Sequence, residues 1–589
     1  PLPNAITLRF GPDFDGVVAP LAGADTAVCI GARRVGPRGL LTEIERGLGL
    51  PSVETEAATR IARYRSILEE NLESKPFYAA SFRTDPERVA AHLLRQRDRL
   101  LLAGWDPIKP GEQPTRLRDL AALERRMAPG LGGLADRYRR VFGILGGLDG
   151  GVPGIEGIEL CEPLDLMPHP WRILLRALEA AGVQVVAATG VVPPAASADA
   201  RPSKGEGAVP EESERSGAVP ADGTSTDLSR IAGVLADNAA EPARGNKRPP
   251  VTLCGDGAVQ LVRGGNHGEH AQLLARLLEG KAGTAIVIAP VGADTLASTL
   301  AANGLPLPGH TVELKNDPRA GLLRLLPLFL FEPIDVNRLA EFLWISPNPL
   351  GGRLSRRLLK ALQSTPAVGS DRWRRQTEDL EEKEKGRFSA YFERARVPHG
   401  SPVPADLVAA LFAAFAHWAL GMAHAQDDPF WHKVAGGARQ IAGGLEAVPG
   451  GEVTETELPF LIERALAAGD AVPAEAGAVH TVDAPSKVDW DCQELYWLPF
   501  SSSYGRVGEF FLPEETAWLE ENGVFLDDAL LLSRRHRFHT ARLLSQAQRV
   551  TLFLPESIDG ADPAEDPTLA LLSSSADLTP ITQSFASCA

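Results

Sequence analysis

Two glycines near the start of the chain bound a segment that could place backbone amides around a phosphate. An apolar run over residues 26–30 predicts a buried strand, Gly31 and Gly36 bound the loop after it, and a helical pattern comes next. In a phosphate-binding loop, a Lys neutralises the phosphates and a Ser or Thr holds Mg²⁺ directly after the second glycine. Pro37 and Arg38 stand at those places, and proline has no amide hydrogen to donate. The pattern predicts either a nucleotide loop without its chemistry or an ordinary strand–turn–helix corner.

Clusters of basic residues could contact the phosphates of a nucleic acid. Such contacts give a binding affinity that depends on salt, and nearby aromatic rings can stack on unpaired bases. A basic cluster is also the usual solvated face of a helix, and a Trp among apolar neighbours is usually part of a core. Trp373, Trp490 and Tyr504 are the candidate stacking residues. The candidate DNA contacts are Arg33, Arg34, Arg356, Arg357, Lys487, Arg534, Arg535 and Arg537.

The spacing of apolar residues places these groups on two α/β units. Short apolar strands followed by helices occur in the first fifty residues, over 158–187, over 259–302 and over 477–554. Helical spacing dominates 54–146 and 318–470 instead. Strands that alternate with helices predict parallel sheets. The expected fold class is therefore α/β, with two parallel-sheet domains that are each interrupted by a helical insertion.

Two stretches have a composition that cannot form a core of their own. Residues 201–250 are rich in Pro, Ala, Ser, Gly and Glu and contain no aromatic residue, so we expect a disordered acidic insertion with one transient helix over 228–238. After Pro555 the chain becomes polar, which predicts a frayed tail. The expected boundaries are 1–52 and 151–200 for the first sheet domain, 53–150 for its insertion, 201–250 for the disordered segment, 251–317 and 475–556 for the second sheet domain, 318–474 for its insertion and 557–589 for the tail.

Bulk composition limits the classes of function. The 589 residues are too many for one core, so about three to four domains are expected. A net charge of −16 argues against a general polyanion binder but allows a local basic channel. The five cysteines form no CxxC pair, so no local zinc or iron–sulfur site is expected, and so few cysteines suit a reducing cytoplasm. The most apolar run, 322–331, is too short to span a bilayer, so no membrane is expected.

Three further segments follow the same plan along the chain. Cys161-Glu162-Pro163-Leu164-Asp165 comes after a short strand, a segment with Ser486-Lys487 and Trp490-Asp491 precedes a buried strand, and Arg542 lies on the last long helix. Together with the interrupted double α/β plan, these segments resemble UvrD-type superfamily-1 helicases over about residues 5–555. The chain is similar to inactivated forms of that fold, as in RecC and the amino-terminal helicase-like part of AddB.

This resemblance implies a nucleotide site that has lost its working groups. Cys161 stands where the family has a metal-binding Asp, and a lone thiol does not replace a carboxylate for Mg²⁺. The position of the family's γ-phosphate arginine falls at Ser545 or Gln546, one turn from Arg542. We therefore expect no catalytic residue, no ATP hydrolysis, no cofactor and no metal in this chain. The vestigial site comprises Gly31, Gly36, Pro37, Arg38, Cys161, Glu162 and Asp165.

The resemblance implies a DNA-binding pseudo-helicase scaffold in a helicase–nuclease complex for DNA end processing, repair or defence. Its expected partners are single-stranded or forked DNA and a protein that carries helicase or nuclease activity. One alternative is an enzyme, either a residual ATPase or the helicase-like half of an AddB-type nuclease whose catalytic domain is absent from this chain. Another alternative is a regulatory or antiviral-defence protein that uses the fold to dock partners.

Overall fold

A computed structural model gives the structure of the chain. It describes residues 6–16, 32–107, 113–127, 131–148, 150–187, 226–240, 250–281, 284–312, 317–426, 428–446, 451–467, 470–472, 474–501, 510–558 and 560–588. Within these ranges the chain is a mixed α/β protein with two larger sheets, in both of which every strand pairing is parallel. The predicted strand over 26–30, Gly31 and Tyr504 lie outside the described residues.

The first sheet is built from two separated stretches of chain. Its strands are β1 (Ile6–Phe10), β2 (Ala32–Val35), β3 (Ile155–Leu160) and β4 (Gln184–Ala187), in the order β2–β1–β3–β4. Between β2 and β4 the chain forms α1 (Pro37–Gly47), α2 (Ala57–Glu70), a 3₁₀ turn (Leu72–Ser74), α3 (Ala79–Thr84), α4 (Pro86–Leu102), α5 (Thr115–Glu124), α6 (Leu134–Leu145) and α7 (His169–Ala180). Helices α2–α5 pack around an apolar core with Tyr64, Leu93 and Trp105, which residues 511–524 later in the chain also join, and they form a helical insertion between β2 and β3.

The prediction of a phosphate-binding loop over residues 31–38 is wrong, because residues 32–35 form strand β2; the segment follows the alternative, a strand–turn–helix corner. Leu8 of β1 pairs with Arg33 of β2, and Gly36 alone separates Val35 from the first residue of α1. In the sequence, the adjacent Arg33 and Arg34 indicate a polar loop. They form a strand here because their charges are compensated: Arg33 pairs with Glu43, and Arg34 pairs with a distant carboxylate.

The second sheet begins after residue 226. This part of the chain forms α8 (Asp227–Ala240), β5 (Val259–Arg263), α9 (His267–Leu277), β6 (Ala285–Ile288), α10 (Ala293–Ala302) and β7 (His310–Val312). A helix is present where a transient one was expected over 228–238, but the disorder predicted around it is wrong for α8, which packs along a later helix and buries Leu228, Ile231 and Leu235 in the core of the second sheet domain. The carboxylate of Asp227 accepts hydrogen bonds from the backbone amides of Cys254 (2.9 Å) and Gly255 (2.7 Å), which fixes the start of α8.

A second helical insertion follows, built around one large core. Its core includes Phe329, Phe342, Phe412, Phe415 and Trp431. Its elements are two 3₁₀ turns (Pro318–Ala320 and Leu326–Phe329), α11 (Gly321–Leu325), β8 (Phe331–Glu332), α12 (Val336–Trp344), α13 (Gly352–Ser364), α14 (Asp371–Thr377), α15 (Glu382–Phe392), β9 (Val397–Pro398), β10 (Val403–Pro404), α16 (Ala405–Gln426), α17 (Pro429–Glu446), β11 (Glu452–Val453), α18 (Glu457–Ala467) and β12 (Asp470–Val472). It contacts the first insertion, where Arg65 Nη1 lies 3.2 Å from Glu457 Oε1.

The last part of the chain completes the second sheet. It forms β13 (His480–Val482), a 3₁₀ turn (Pro485–Lys487), β14 (Cys492–Trp497), α19 (Pro513–Glu521), α20 (Ala529–Gln546), β15 (Ala547–Leu554), α21 (Pro567–Ser575), a 3₁₀ turn (Thr579–Ile581), β16 (Thr582–Ser584) and α22 (Phe585–Cys588). The sheet order is β13–β6–β14–β15–β5–β16. The prediction of a frayed tail after Pro555 is wrong. Strand β16 pairs with β5, and Leu569, Leu572 and Ile581 are buried in the core of the second sheet domain.

One helix in the described part of the chain, α16, is long and apolar enough to cross a membrane by length and composition alone. Its residues Val408, Phe412 and Phe415 are fully buried in the second helical insertion. The core helix of a helical domain is buried in the same way.

Candidate functional site: the joint between the two sheet domains

The two sheet domains meet at the carboxyl ends of strands β1 and β3. Residues 11–16 follow β1, and residues 161–168 follow β3. From the second domain, helix α20 and the residues just before β14 lie against them. The carboxyl ends of parallel strands are the usual place for a ligand crevice. We call the charged cluster in this place the interdomain joint; it comprises Arg9, Asp13, Arg34, Glu162, Asp489, Arg535, His539 and Arg542.

Glu162 is the centre of one half of the interdomain joint. Its carboxylate, fully buried, accepts hydrogen bonds from Arg535 Nε at 3.2 and 3.3 Å and from Arg535 Nη2 at 3.2 Å. His539 Nε2, one turn further along α20, lies 2.5 Å from Glu162 Oε2. Arg535 also reaches Asp13 Oδ2 at 3.2 Å. One helix of the second domain is thereby bound to two carboxylates of the first domain.

Asp489 is the centre of the other half, with the charges reversed between the domains. Its carboxylate, on the second domain, lies 3.1 Å from Arg9 Nε of β1 and pairs with Arg34 of β2. The Arg34 guanidinium also lies over the rings of Phe14 and Trp490, 5.4 and 5.0 Å from their centroids. Such cation–π contacts favour a fixed arginine. Arg34 is thus engaged on several sides.

Arg542 bonds to backbone oxygens of both domains. Its guanidinium donates to the carbonyl oxygen of Cys161 and, at 2.7 Å, to that of Val488. The Cys161 thiol is 3.8 Å from Asp489 Oδ2. Burial, together with the nearby Asp489 charge, raises the pKa of Cys161 to about 12, so its thiol stays protonated and is neither a nucleophile nor a metal ligand at neutral pH.

The amino terminus of helix α1, where a phosphate would bind, holds a carboxylate of the chain itself. Asp15 Oδ2 accepts a hydrogen bond from the Arg38 amide at 2.9 Å, and Asp15 Oδ1 accepts one from the Gly39 amide at 3.3 Å. The approach is close, since a Cβ on Gly36 would lie 2.3 Å from the Asp15 nitrogen. Free amides at a helix start attract anions. Asp15 occupies this position, and the Arg38 side chain pairs with Glu54 at 3.1 Å.

Burial and charge set the protonation of the interdomain joint. Burial alone would raise the pKa of Asp13, but the Arg535 guanidinium, His539 and a hydrogen bond from Ser486 outweigh it, so the pKa of Asp13 is lowered. Burial lowers the pKa of His539 to about 4; Glu162 opposes this shift, whereas Arg542 and Arg535 add to it. Burial also lowers the pKa of Arg542. At neutral pH His539 is therefore uncharged and donates its Nε2 hydrogen to Glu162 Oε2.

These contacts leave few charged groups of the interdomain joint free to bind a nucleotide. Phosphoryl transfer needs cations free to neutralise phosphates and carboxylates free to hold Mg²⁺. The guanidinium groups of the joint are already bound to carboxylates or carbonyl oxygens of the chain. Among the described residues, no group of three or more His, Cys, Asp or Glu side chains could hold a metal ion. These contacts join the two sheet domains at this place.

The structure brings together only part of the expected vestigial site. Cys161 and Glu162 lie in the interdomain joint, whereas Gly36, Pro37 and Arg38 form the start of α1 against Asp15. Asp165 lies at the surface, where its carboxylate is 3.3 Å from Arg534 Nη2 and 67% of its side chain is exposed.

Several expected DNA contacts are engaged within the chain. Arg535 is 7% exposed and bound to Glu162, so the prediction that it contacts DNA is wrong, and Arg34 is held by Asp489. Arg33 pairs with Glu43, and Lys487 lies 2.8 Å from Asp483.

The remaining basic candidates lie nearer the surface. Arg534 and Arg537 donate to carbonyl oxygens at the end of α8, at 2.8 Å (Ala239) and 3.4 Å (Asn238). Arg357 bonds to Gln376, and the exposed Arg356 bonds to the Gly352 carbonyl oxygen of its own helix. Among the stacking candidates, Trp373 is a core residue with 4% exposure, and Trp490 is half-buried against Arg34.

Sequence reasoning missed several members of the joint, namely Arg9, Asp13, Asp489 and His539, and it missed the capping residue Asp15. One signal was present: Asp13 and Asp15 stand between two glycines directly after an apolar strand, where a ligand-binding loop is common. A second signal was the spacing of Arg535, His539 and Arg542 on one face of a helix.

No known protein family model matches this chain. No curated protein matches it either.

Proposed function

We propose that the chain is a DNA-binding scaffold with an inactivated UvrD-type helicase fold, whose two parallel sheets are RecA-like lobes and which works without ATP. The observation that carries the proposal is the interdomain joint. The buried carboxylates of Glu162 and Asp489, paired with Arg535 and Arg9, lie at the carboxyl ends of the strands, where in this proposal a nucleotide would act on two lobes. Each sheet is also assembled from two stretches of chain with a helical insertion between them, as that fold requires.

In this proposal the joint replaces ATP as the bond between the lobes. A motor opens and closes its cleft with each nucleotide, whereas buried ion pairs with several hydrogen bonds hold one arrangement. The chain would then present a fixed surface to a forked or single strand of DNA and to a partner that carries helicase or nuclease activity. A cytoplasmic location is part of the proposal; Cys161, Cys254, Cys492 and Cys588 are free thiols, which suits a reducing compartment.

ATP with Mg²⁺ is expected to leave the melting temperature of the full chain unchanged. A ligand at a hundred times its dissociation constant stabilises a folded protein by about 2.7 kcal/mol, so binding would raise the melting temperature visibly. Scanning calorimetry with increasing ATP, and phosphate release over hours, measure both properties. Arg38→Ala is the matched control and should behave as the wild type. A saturable rise in melting temperature, or turnover that Arg38→Ala abolishes, would contradict the proposal.

The full chain is expected to bind a forked DNA duplex with an affinity that falls as salt rises. The exposed face of α13 and α14 supplies cations such as Arg356 and Arg374 for phosphate contacts. Each phosphate contact contributes about 0.9 to the slope of log affinity against log salt on duplex DNA. Fluorescence anisotropy at several KCl concentrations gives this slope, and Arg356→Gln should reduce it by about that amount. No binding at low salt would overturn the DNA-binding function.

A partner-docking protein is the second candidate. Trp344 at the end of α12 is 75% exposed, and an exposed Trp is a frequent centre of protein interfaces. The net charge of −16 also favours contacts with proteins over extensive DNA wrapping. This candidate and the scaffold differ in the anisotropy experiment, since a pure docking protein leaves forked DNA unbound.

A further inference from the structure

We propose that an exposed aromatic ring among arginines, at the junction of three parts of the fold, is a stacking site for an unpaired base of single-stranded DNA. The Phe525 platform, as we call it, comprises Phe525 between α19 and α20, His169, Arg172 and Arg176 of α7, and Arg99 of α4. The inference rests on the proposed DNA-binding function and names a place and a mode of contact for it. None of these five residues was among the basic candidates expected from the sequence.

The ring of Phe525 is exposed and yet held in place. Its side chain is 46% exposed, and its ring centroid lies 5.1 Å from that of His169, with 57° between the ring planes. Two residues further, Asp527 Oδ1 accepts a hydrogen bond from the His169 amide at 2.9 Å, which fixes the backbone that carries Phe525. A ring that is anchored on one side and open on the other is what base stacking needs.

The surroundings of the ring are cationic. Arg172 Nη2 lies 3.2 Å from His169 Nδ1, and Arg176, one turn further along α7, is exposed and makes no ion pair or hydrogen bond with another described residue. Burial lowers the pKa of Arg99, and the Asp527 charge offsets this only in part. Burial and the Arg172 charge likewise lower the pKa of His169. Among the described residues, Arg172 and Arg176 pair with no carboxylate, so their guanidinium groups suit an anionic ligand.

Single-stranded DNA combines the two features that this surface can bind. Its phosphates pair with arginines, and its unpaired bases expose flat faces to an aromatic ring, whereas a blunt duplex keeps those faces stacked inside. An acidic peptide would use the arginines but would have no general need for the open face of Phe525. The juxtaposition of Phe525 with Arg172 and Arg176 therefore favours a DNA strand.

Phe525→Ala is expected to weaken binding of the full chain to a fluorescent twenty-nucleotide oligothymidine by about tenfold, as for one lost base stack. Binding to a blunt duplex of the same length should stay within twofold of wild type. Trp344→Ala, which removes an equally accessible ring in the second insertion, is the matched control and should change neither affinity. Since Phe525 is half exposed, the variant should keep the wild-type melting temperature; if it does not fold, the arginine variant below decides alone.

Arg176→Gln should lower the slope of log affinity against log salt for the oligonucleotide by about 0.7, the share of one phosphate contact on a single strand. Arg83→Gln changes another exposed arginine, on α3, and should leave the slope unchanged.

Three outcomes would contradict these proposals. If the wild type binds the oligonucleotide and neither Phe525→Ala nor Arg176→Gln alters that binding, the Phe525 platform is overturned and the scaffold function stays intact. If a glutamate-rich peptide displaces the oligonucleotide as effectively as unlabelled DNA does, the stacking site is overturned in favour of a peptide site. Absence of all DNA binding by the wild type would overturn both proposals.

Discussion

Glu162→Gln is expected to lower the free energy of unfolding by about 3–5 kcal/mol, the usual cost of removing one partner of a buried ion pair. The substitution keeps the size of the side chain but removes its charge, which leaves Arg535 buried with Asp13 as its remaining carboxylate. Urea and thermal unfolding of the full chain measure the loss. The second sheet domain should separate from the first early in the transition, because Arg535 and His539 both bind the first domain through Glu162.

The neighbouring carboxylate offers a matched control. Asp165, three residues along the chain, pairs with Arg534 next to Arg535, but 67% of its side chain is exposed. Asp165→Asn should therefore cost less than about 1 kcal/mol, as for other surface ion pairs. Equal losses for Asp165→Asn and Glu162→Gln would contradict the view that the interdomain joint is a structural bond. A replacement of both Glu162 and Arg535 by Met should recover part of the lost stability, because the fully buried Glu162–Arg535 pair is then removed as a unit and only Asp13, whose side chain is 39% exposed, loses its arginine.

The broad plan of the fold could be predicted from the sequence because it depends on local patterns. Short apolar runs followed by helices recur in four places, and this alternation predicts parallel strands, which the pairings of β1 with β3 and of β14 with β15 confirm. The long helical segments with their own apolar residues likewise appear as separate cores. Such patterns repeat every two or every 3.6 residues, so a single sequence carries them.

Elements stabilised by distant partners could not be predicted. Strand β2 contains two arginines that pair with distant carboxylates: Arg33, whose side chain is 59% exposed, pairs with Glu43, and the largely buried Arg34 pairs with Asp489. For α8 the sequence indicated only a transient helix in a stretch with the composition of a disordered segment; it is ordered because Leu228, Ile231 and Leu235 pack in the core of the second sheet. Tertiary contacts override local composition in both cases.

The candidate site shows the same limit. Glu162 stood out in the sequence, whereas its partners Arg535 and His539 lie 373 and 377 residues further along the chain. Asp13 and Asp15 were overlooked because the expected loop was placed at the next strand, after Gly31. Whether two charges form a bond or face solvent depends on the packing of two domains, and one sequence gives no measure of that packing.

Acidification is expected to weaken the chain through His539 between about pH 6.5 and pH 4. Burial lowers the pKa of His539 to about 4 from the 6.5 of an exposed histidine. The unfolded chain therefore takes up a proton before the folded one does, so the stability from His539 is full above pH 6.5 and is lost as the pH falls toward 4. Charged groups face the ring from three elements: Glu162 after β3, Asp13 after β1, and Arg535 and Arg542 on α20 itself.

His539→Gln separates this effect from other titrations. Glutamine can still donate a hydrogen bond to Glu162 but takes up no proton in this range, so the variant should match the wild type near pH 7 and exceed its stability by about 2–3 kcal/mol at pH 4.5. Urea unfolding at half-unit steps of pH measures the two curves. His417→Gln, which changes an exposed histidine of α16, should leave the wild-type curve unchanged. Parallel curves for wild type and His539→Gln would show that the ring titrates alike in the folded and unfolded chain, and that the interdomain joint is open to water.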